Sequence, residues 1–284
     1  MQSFRNGPLR FDVTDTPPVG DGTGEAVILL HGYPEDRHSW EGVTPALAQA
    51  GYRVLAFDQR GYSPGARPAA RAAYTLNRLA GDVLALAEAA GATTFHLAGH
   101  DWGAALAWYL AGRHPGRLLS LTCLSVPHTT AFVRSFTAGS QAFRSWYMGA
   151  FQIPWLPEWA LSRRGGALMR DLLIRTGLDS GSAARYAARA ADPSAMTGPL
   201  NWYRALALEI GDQPPAITVP SLYIWGDRDP FISRAAAESC GRYVAGEYRF
   251  EQLTGASHWL LQDSTETVAR LMIEHIAKTP ATRG

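Results

Sequence analysis

The chain has 284 residues, 46% hydrophobic and 18% charged, and this size favours a core domain that carries an insertion or a second lobe. The composition excludes a coiled coil, a disordered tail and a small disulfide-stabilised protein. Twenty-six basic and twenty-five acidic residues leave a formal net charge of +1, so we expect no nucleic acid partner. The two cysteines, Cys123 and Cys240, show no ligand spacing, which predicts folding without disulfides and, from that, a cytoplasmic location.

The sequence carries no pattern typical of a membrane protein. Residues 1–7 lack the apolar segment of a signal peptide. The longest stretch free of polar character, near residues 103–112, is about half of the ~20 residues that a membrane span requires. We therefore expect no membrane partner, while a homodimer is compatible with the sequence.

Short apolar runs, each followed by turn residues, alternate with helical patterns through the first half of the chain and again near its end. The runs are typical of buried strands. Their alternation with helices predicts the α/β class, with a mostly parallel central sheet and helices on both faces. The predicted strands are residues 26–30, 53–57, 94–98, 118–124, 221–225 and 248–253, and the predicted helices are residues 40–50, 76–90, 104–113, 234–243 and 265–277.

The interval 129–215 breaks this alternation. It holds eleven of the thirty aromatic residues of the chain, and prolines separate its helical stretches. We predict that it forms an inserted helical cap over the carboxyl ends of the strands, where ligands bind in open α/β sheets. The core domain would then consist of residues 1–128 and 216–284.

One turn has the features of a nucleophile elbow. A predicted strand runs directly into Gly99-His100-Asp101-Trp102-Gly103, and an alanine-rich helix follows at once. In this strand–turn–helix arrangement the two glycines let strand and helix approach closely, and the central side chain projects above the sheet. The predicted nucleophile is therefore Asp101; in the alternative interpretation, Asp101 only caps the helix that follows.

An aspartate at this position changes which reactions are available. A serine hydroxyl must lose a proton before it attacks an acyl carbon, whereas a carboxylate is already ionised at neutral pH and can displace a leaving group at a saturated carbon. The product would be an alkyl ester of Asp101. Water would cleave that ester at its carbonyl carbon, which requires a general base and donors for the oxyanion.

A histidine and an acid complete a triad in the expected chain order of nucleophile, acid and base. The candidate base is His258, which stands in a loop after the last predicted strand. Asp229, beyond the turn that ends strand 221–225, is the acid expected to orient His258, and Asp227 is the alternative. The other histidines show no spacing typical of a metal site, so we expect neither a metal ion nor a cofactor.

Two backbone N–H groups are expected to stabilise the oxyanion. One belongs to Trp102, the residue after the nucleophile, and the other to Tyr33, in the turn after the first predicted strand. Pro34, the next residue, has no N–H to donate. The expected substrate-binding residues are Trp102, Phe151, Trp202, Trp259, Tyr33 and Pro34.

Together these motifs resemble those of the epoxide hydrolases of the α/β-hydrolase fold, over residues 27–275. The segments that carry the resemblance are His31-Gly32-Tyr33-Pro34, Gly99-His100-Asp101-Trp102-Gly103-Ala104, residues 146–154 and residues 199–204, together with Asp229 and His258. The resemblance implies that Tyr147 and Tyr203 present phenols to the site. It also implies a cis peptide bond between Tyr33 and Pro34.

The two phenols suit ring opening because an epoxide expels an alkoxide, whose conjugate acid has a pKa near ~16, whereas a phenol has a pKa near ~10 and can supply the proton. We therefore expect a small apolar epoxide and water as the substrates. The first alternative is a haloalkane or haloacetate dehalogenase of the same fold, in which an asparagine often follows the His-Gly pair, where this chain has Tyr33. The second is a non-catalytic ligand receptor.

Overall fold

The structure, a computed structural model, describes residues 1–137, 140–209, 211 and 214–279. Its eight strands form one sheet in the order β1-β2-β4-β3-β5-β6-β7-β8. Strands β3 to β8 pair in parallel and the first two pair antiparallel, which confirms the predicted mostly parallel sheet. The strands are β1 (Ser3–Asn6), β2 (Leu9–Thr16), β3 (Ala26–Leu30), β4 (Arg53–Phe57), β5 (Phe95–His100), β6 (Leu118–Leu124), β7 (Ser221–Gly226) and β8 (Tyr248–Leu253).

The N-terminal hairpin of β1 and β2 was not predicted. Asn6 pairs with Leu9 across a turn in which Gly7 has a φ of +56°, a value that glycine adopts without strain. Phe11 and Val13 alternate with polar residues along β2 and are buried. This alternation is the normal sequence signal of a half-buried strand.

Helices cover both faces of the sheet. Val27 and Leu29 of β3 belong to one buried apolar cluster and Ile28 and Leu30 to another, because successive side chains of a strand point to opposite faces. The helices are α1 (Thr44–Gln49), α2 (Leu76–Ala89), α3 (Trp102–Arg113), α4 (Thr129–Ser135), α5 (Gln141–Arg144), α6 (Trp146–Ala150), α7 (Leu156–Arg175), α8 (Ser180–Ala190), α9 (Pro193–Ala205), α10 (Arg234–Glu238), α11 (Leu260–Asp263) and α12 (Thr265–Ile276).

Two predicted helices are shorter than expected. In the interval 40–50 the α-helix begins only at Thr44, with Pro45 in its first turn, where proline is tolerated. In the interval 234–243 the α-helix ends at Glu238, and a 3-10 turn, Cys240–Tyr243, follows. Gly241 lies in that turn close to Tyr248 of β8, so the chain turns toward the sheet there.

Helices α4 to α9 lie between β6 and β7, in the interval predicted to form the cap. Helix α7 is interrupted at residues 163–166, where Arg164, Gly165 and Gly166 have positive φ angles. Part of the predicted end of the cap, at residues 210, 212 and 213, lies outside the described residues, so the limits 129–215 stay a prediction. Among the described helices, none is both long and apolar enough to cross a membrane.

The parallel strands bring four distant parts of the chain to one edge of the sheet. The segments that follow β3, β5, β7 and β8 carry Tyr33, Asp101, Asp229 and His258, respectively. Since parallel strands end at the same edge, these four residues can meet although more than 220 positions separate the first from the last.

Candidate active site

Close backbone contacts hold the turn between β5 and α3. Asp101 has φ +52° and ψ −118°, a strained backbone conformation for a residue with a side chain. A Cβ added to Gly103 would lie 2.2 Å from the carbonyl oxygen of Leu30, and one added to Gly99 would lie 2.2 Å from that of Gly103. Only glycine fits at both positions, and this packing fixes the direction in which Asp101 projects.

The carboxylate of Asp101 faces a backbone donor. The N–H of Tyr33 donates to its Oδ1 at 2.8 Å, and the peptide bond between Tyr33 and Pro34 is cis, as predicted. The Asp101 side chain is 15% exposed and makes no capping hydrogen bond to α3, so the alternative of a helix cap finds no support. A Cβ on Gly32 would lie 2.4 Å from the Cβ of Asp101, so glycine is also required beside the carboxylate.

His258 bridges two carboxylates. Its Nε2 lies 3.4 Å from Oδ2 of Asp101, and its Nδ1 lies 2.7 Å from Oδ2 of Asp229. The other oxygen of Asp229 accepts hydrogen bonds from the backbone N–H groups of Phe231 and Ile232. The alternative acid is elsewhere: Asp227 accepts from the N–H of Gly255 at 2.7 Å. The structure therefore places Asp229, and not Asp227, on the histidine.

The two carboxylates control the protonation of His258. Burial alone would lower the pKa of this histidine, but the charge of Asp229 and hydrogen bonds with Asp101 and Asp229 outweigh burial and raise the pKa to about 10. His258 is therefore protonated at neutral pH for as long as the side chain of Asp101 is a negatively charged carboxylate. Neutralising Asp101 would remove part of this stabilisation and bring the pKa down.

A second buried histidine–carboxylate pair supports the site, and the sequence analysis missed it. Glu35 accepts from the N–H of Gly32 at 2.9 Å, and Nδ1 of His100 lies 2.7 Å from the same carboxylate oxygen. Nε2 of His100 lies 2.9 Å from the carbonyl oxygen of His258. Burial would lower the pKa of His100, but Glu35 raises it. The pair thus connects the turn at Tyr33 to the loop of His258. Its local signal was a glutamate directly after the His-Gly-Tyr-Pro segment.

A cavity of about 430 Å³ opens beside Asp101. Tyr147 of α6 and Tyr203 of α9 line it together with Asp101, as the predicted roles of the two phenols require. The other lining residues are mostly apolar: Leu76, Trp102, Ala105, Val126, Thr129, Phe132, Val133, Phe136, Met148, Leu206, Glu209, Gly211, Phe231 and Ile232.

The two phenols form one network with Trp102. The ring of Tyr203 makes edge contacts with the ring of Trp102, at 4.9 Å between centroids, and with that of Tyr147, at 6.1 Å. Burial is the main cause that raises the pKa of both tyrosines, and the negative charge of Asp101 raises both pKa values further. Both phenols therefore keep their protons at neutral pH.

Of the six predicted substrate-binding residues, only Trp102 lines this cavity. Trp202 is buried and donates from Nε1 to the carbonyl oxygen of Arg60 at 2.8 Å. Trp259 is buried and donates to Oγ1 of Thr176 at 3.1 Å. Three more residues lie outside the cavity lining: Phe151, Tyr33 and Pro34. Hydrophobic sequence character alone did not distinguish residues that face the cavity from residues that pack behind it.

Gln141 of α5 joins the helical insertion to the loop of Asp229. Its Nε2 donates to the carbonyl oxygen of Phe231 at 2.7 Å, and its Oε1 accepts from the N–H of Ser233 at 2.8 Å. The residue is fully buried, and Nε2 also donates to Ser145. The ring of Phe231 contacts the rings of both His258 and Tyr147, so this loop adjoins the histidine and one of the two phenols.

The fold and the geometry define an α/β hydrolase with an aspartate at the elbow. A family model described as "alpha/beta hydrolase fold" matches residues 25–265. Epoxide hydrolase A of Mycobacterium tuberculosis is 32% identical, with 91% of this chain and 92% of that protein covered, and human epoxide hydrolase 4 is 32% identical, with 95% and 76% covered. Epoxide hydrolase A of Mycobacterium thermoresistibile has a crystal structure that aligns with a TM-score of 0.80 at 29% identity, covering 98% of both chains. This chain belongs to the epoxide hydrolase family of the α/β hydrolases, which confirms the resemblance.

Proposed function

We propose that this protein opens small apolar epoxides to vicinal diols through a covalent ester on Asp101. The observation that carries the proposal is that one cavity contains the carboxylate and both phenols, while His258 adjoins the carboxylate from the side of Asp229. The mostly apolar lining favours an apolar substrate whose orientation depends on few polar groups.

In the first step, Oδ2 of Asp101 attacks one ring carbon, and the carbon–oxygen bond of the epoxide breaks. The electron pair of that bond goes to the ring oxygen, which Tyr147 and Tyr203 hold by hydrogen bonds and to which one of them gives its proton. Oδ1 remains on the N–H of Tyr33 and becomes the carbonyl oxygen of the ester. Because the ester is uncharged, the pKa of His258 falls, and Nε2 releases its proton to solvent, so that it can then accept one from water. His258 regains the released proton when Asp101 is again a carboxylate.

In the second step, His258 takes a proton from water, and the water oxygen attacks Cγ of Asp101. The oxyanion that develops on Oδ1 is stabilised by the N–H of Tyr33 and by that of Trp102. The bond between Cγ and Oδ2 then breaks, and His258 returns its proton to the departing alkoxide. The second proton of the water restores the phenol, so an epoxide and a water molecule give one diol and the free enzyme.

Intact-protein mass spectrometry of His258→Gln mixed with 1,2-epoxyoctane tests this scheme. We expect the variant to gain the mass of one epoxide on Asp101 and to stall, because ester formation needs no base whereas ester hydrolysis does. Asp101→Asn is the matched control: it keeps an oxygen that can accept from Tyr33 but has no nucleophile, so it should gain no mass and lose at least ~10⁴-fold in turnover. A His258→Gln protein without an adduct would contradict the scheme.

A further inference from the structure

The cavity lies on one side of the Asp101 carboxylate. Trp102, through the chain, and Tyr33, through its N–H, are among the residues that adjoin that carboxylate, and the surroundings of their rings differ. Trp102 lines the cavity, together with Ala105 and Phe231, whereas Tyr33 does not. The carboxylate therefore stands between an open side and a packed side.

Aromatic rings fill the packed side. The ring of Tyr33 makes edge contacts with Phe151, at 5.8 Å between centroids, and with Tyr203, at 5.4 Å. Phe151 in turn contacts Tyr203 at 5.0 Å and Tyr147 at 5.6 Å. Behind them, Tyr33 and Phe151 pack against a buried apolar cluster that includes Met196. We call the rings of Tyr33 and Phe151 the aromatic wall.

Packing rather than hydrogen bonding holds this wall. The hydroxyl of Tyr33 is buried and makes no hydrogen bond to any residue that the structure describes. Both rings are partly buried, and the cluster behind them is buried. A group directed into the wall would have to displace one of the two rings toward this cluster, because a protein interior has few voids of the size of a methyl group.

The open side leads to solvent. Val133 and Phe136 of the segment around α4 line the cavity and are 53% and 36% exposed, so they mark its mouth. A molecule that enters between them reaches Asp101 with its leading end. Its remaining atoms then trail along the apolar lining toward the mouth.

From this asymmetry we propose that the site takes terminal epoxides, in which only one ring carbon carries a substituent, and that the aromatic wall excludes a substituent on the other carbon. The unsubstituted end would face Tyr33 and Phe151, and the substituent would extend past Trp102 toward the mouth. The inference rests on the proposed function and adds the substrate class and two specificity-determining side chains.

Two isomers of equal composition test the proposal: 1,2-epoxyoctane and trans-2,3-epoxyoctane. We expect kcat/KM of the unmodified protein to be at least ~10-fold higher for the terminal isomer, the range in which a packed pocket discriminates one methyl group. Phe151→Ala should shift the ratio of the two kcat/KM values toward the disubstituted isomer by at least ~10-fold. Phe132→Ala, the same truncation on the open side, should leave that ratio within about 3-fold, although it enlarges the cavity.

Thermal unfolding of each variant separates a loss of folding from a change of specificity. Phe151→Leu is a milder truncation that should shift the ratio of the two kcat/KM values in the same direction as Phe151→Ala. Equal kcat/KM for both isomers in the unmodified protein would overturn the proposal while leaving the epoxide hydrolase function intact. An unchanged ratio in folded Phe151→Ala and Phe151→Leu would also overturn it. Failure to hydrolyse either isomer would instead count against the proposed function.

Discussion

The sheet and the helical insertion contribute different parts of the site and are built differently. Strands β3, β5 and β7 are buried along their whole length, and their ends lead into the segments that carry Tyr33, Asp101 and Asp229. In the described part of the chain, thirteen large hydrophobic side chains are exposed, and all except Val19 lie between residues 133 and 208. The insertion, which supplies both phenols, is therefore the less completely packed region.

The two steps of the proposed mechanism depend on these regions in different ways. In the proposed mechanism, ester hydrolysis would use groups fixed at strand ends, whereas ring opening would also need phenols held by short helices such as α6, which has five residues. Buried strands tolerate little displacement, while a lightly packed helix moves at a lower cost. Loss of a phenol from the insertion should therefore slow ring opening more than ester hydrolysis. Loss of His258 should slow ester hydrolysis alone, and loss of the Asp101 carboxylate should stop both steps.

Removing one phenol gives the largest effect that separates the two steps. Tyr147→Phe and Tyr203→Phe should each slow ester formation by roughly 10²-fold, the contribution expected of a positioned proton donor. Ester hydrolysis should slow much less, because water attacks on the side of His258. Rapid-mixing single-turnover measurements of adduct formation and decay report the two rates.

Tyr186→Phe is the control for these variants, because it removes a buried phenol of the same insertion. The hydroxyl of Tyr186 accepts hydrogen bonds from Arg185 and Gln262, which do not line the cavity. It should leave both rates nearly unchanged. If Tyr147→Phe and Tyr203→Phe slowed ester hydrolysis as much as ester formation, the proposal that the phenols of the insertion act mainly in ring opening would be wrong.

A change at Gln141 tests the connection between the two regions. Gln141→Leu leaves the carbonyl oxygen of Phe231 and the N–H of Ser233 without this partner. Because each unsatisfied buried group costs ~1–3 kcal/mol, the variant should lose about 2–4 kcal/mol of the free energy of unfolding. The loop of Asp229 would lose its support, so ester hydrolysis should slow by about 10-fold. Denaturant unfolding and adduct decay measure the two effects.

Gln49→Leu, an exposed position on α1, serves as the matched control and should change neither quantity. A Gln141→Leu protein with a normal rate of adduct decay would show that the hydrogen bonds of Gln141 to Phe231 and Ser233 only stabilise the fold.

The smallest expected effect is on the pH dependence of stability. The folded pKa of His258 lies near 10, above its ordinary value of 6.5, so the native state binds this proton more tightly than the unfolded chain does. The resulting stabilisation is fully present below pH 6.5 and is lost as the pH rises through 10. Between pH 7 and pH 10 the Tm of the unmodified protein should fall by about a few degrees more than that of His258→Gln. Equal falls in the two proteins would mean that the carboxylates do not hold the proton.

Sequence reasoning singled out Asp101, Asp229 and His258, which lie together in the structure, because their signals are local. The two glycines around Asp101 and the strand ends before Asp229 and His258 can be recognised within a few residues, and parallel strands then bring them together. Glu35 directly follows the His-Gly-Tyr-Pro segment, but this position did not reveal its role, because the contacts of Glu35 and Gln141 are with residues 65 and 92 positions away. The local pattern could not show that Trp202 and Trp259 pack behind the cavity, because an aromatic residue in that position has the same pattern as one that lines the cavity.

Whether the Asp101 carboxylate makes the bond to carbon can be measured in a single turnover in water enriched in ¹⁸O, with excess enzyme, followed by mass analysis of the diol and of the peptide that contains Asp101. If the carboxylate makes the bond to carbon, the first diol takes its new oxygen from Asp101 and is unlabelled, while the peptide gains the label. A labelled diol together with an unlabelled peptide would mean that water attacks the epoxide directly, and the ester on Asp101 would have to be abandoned.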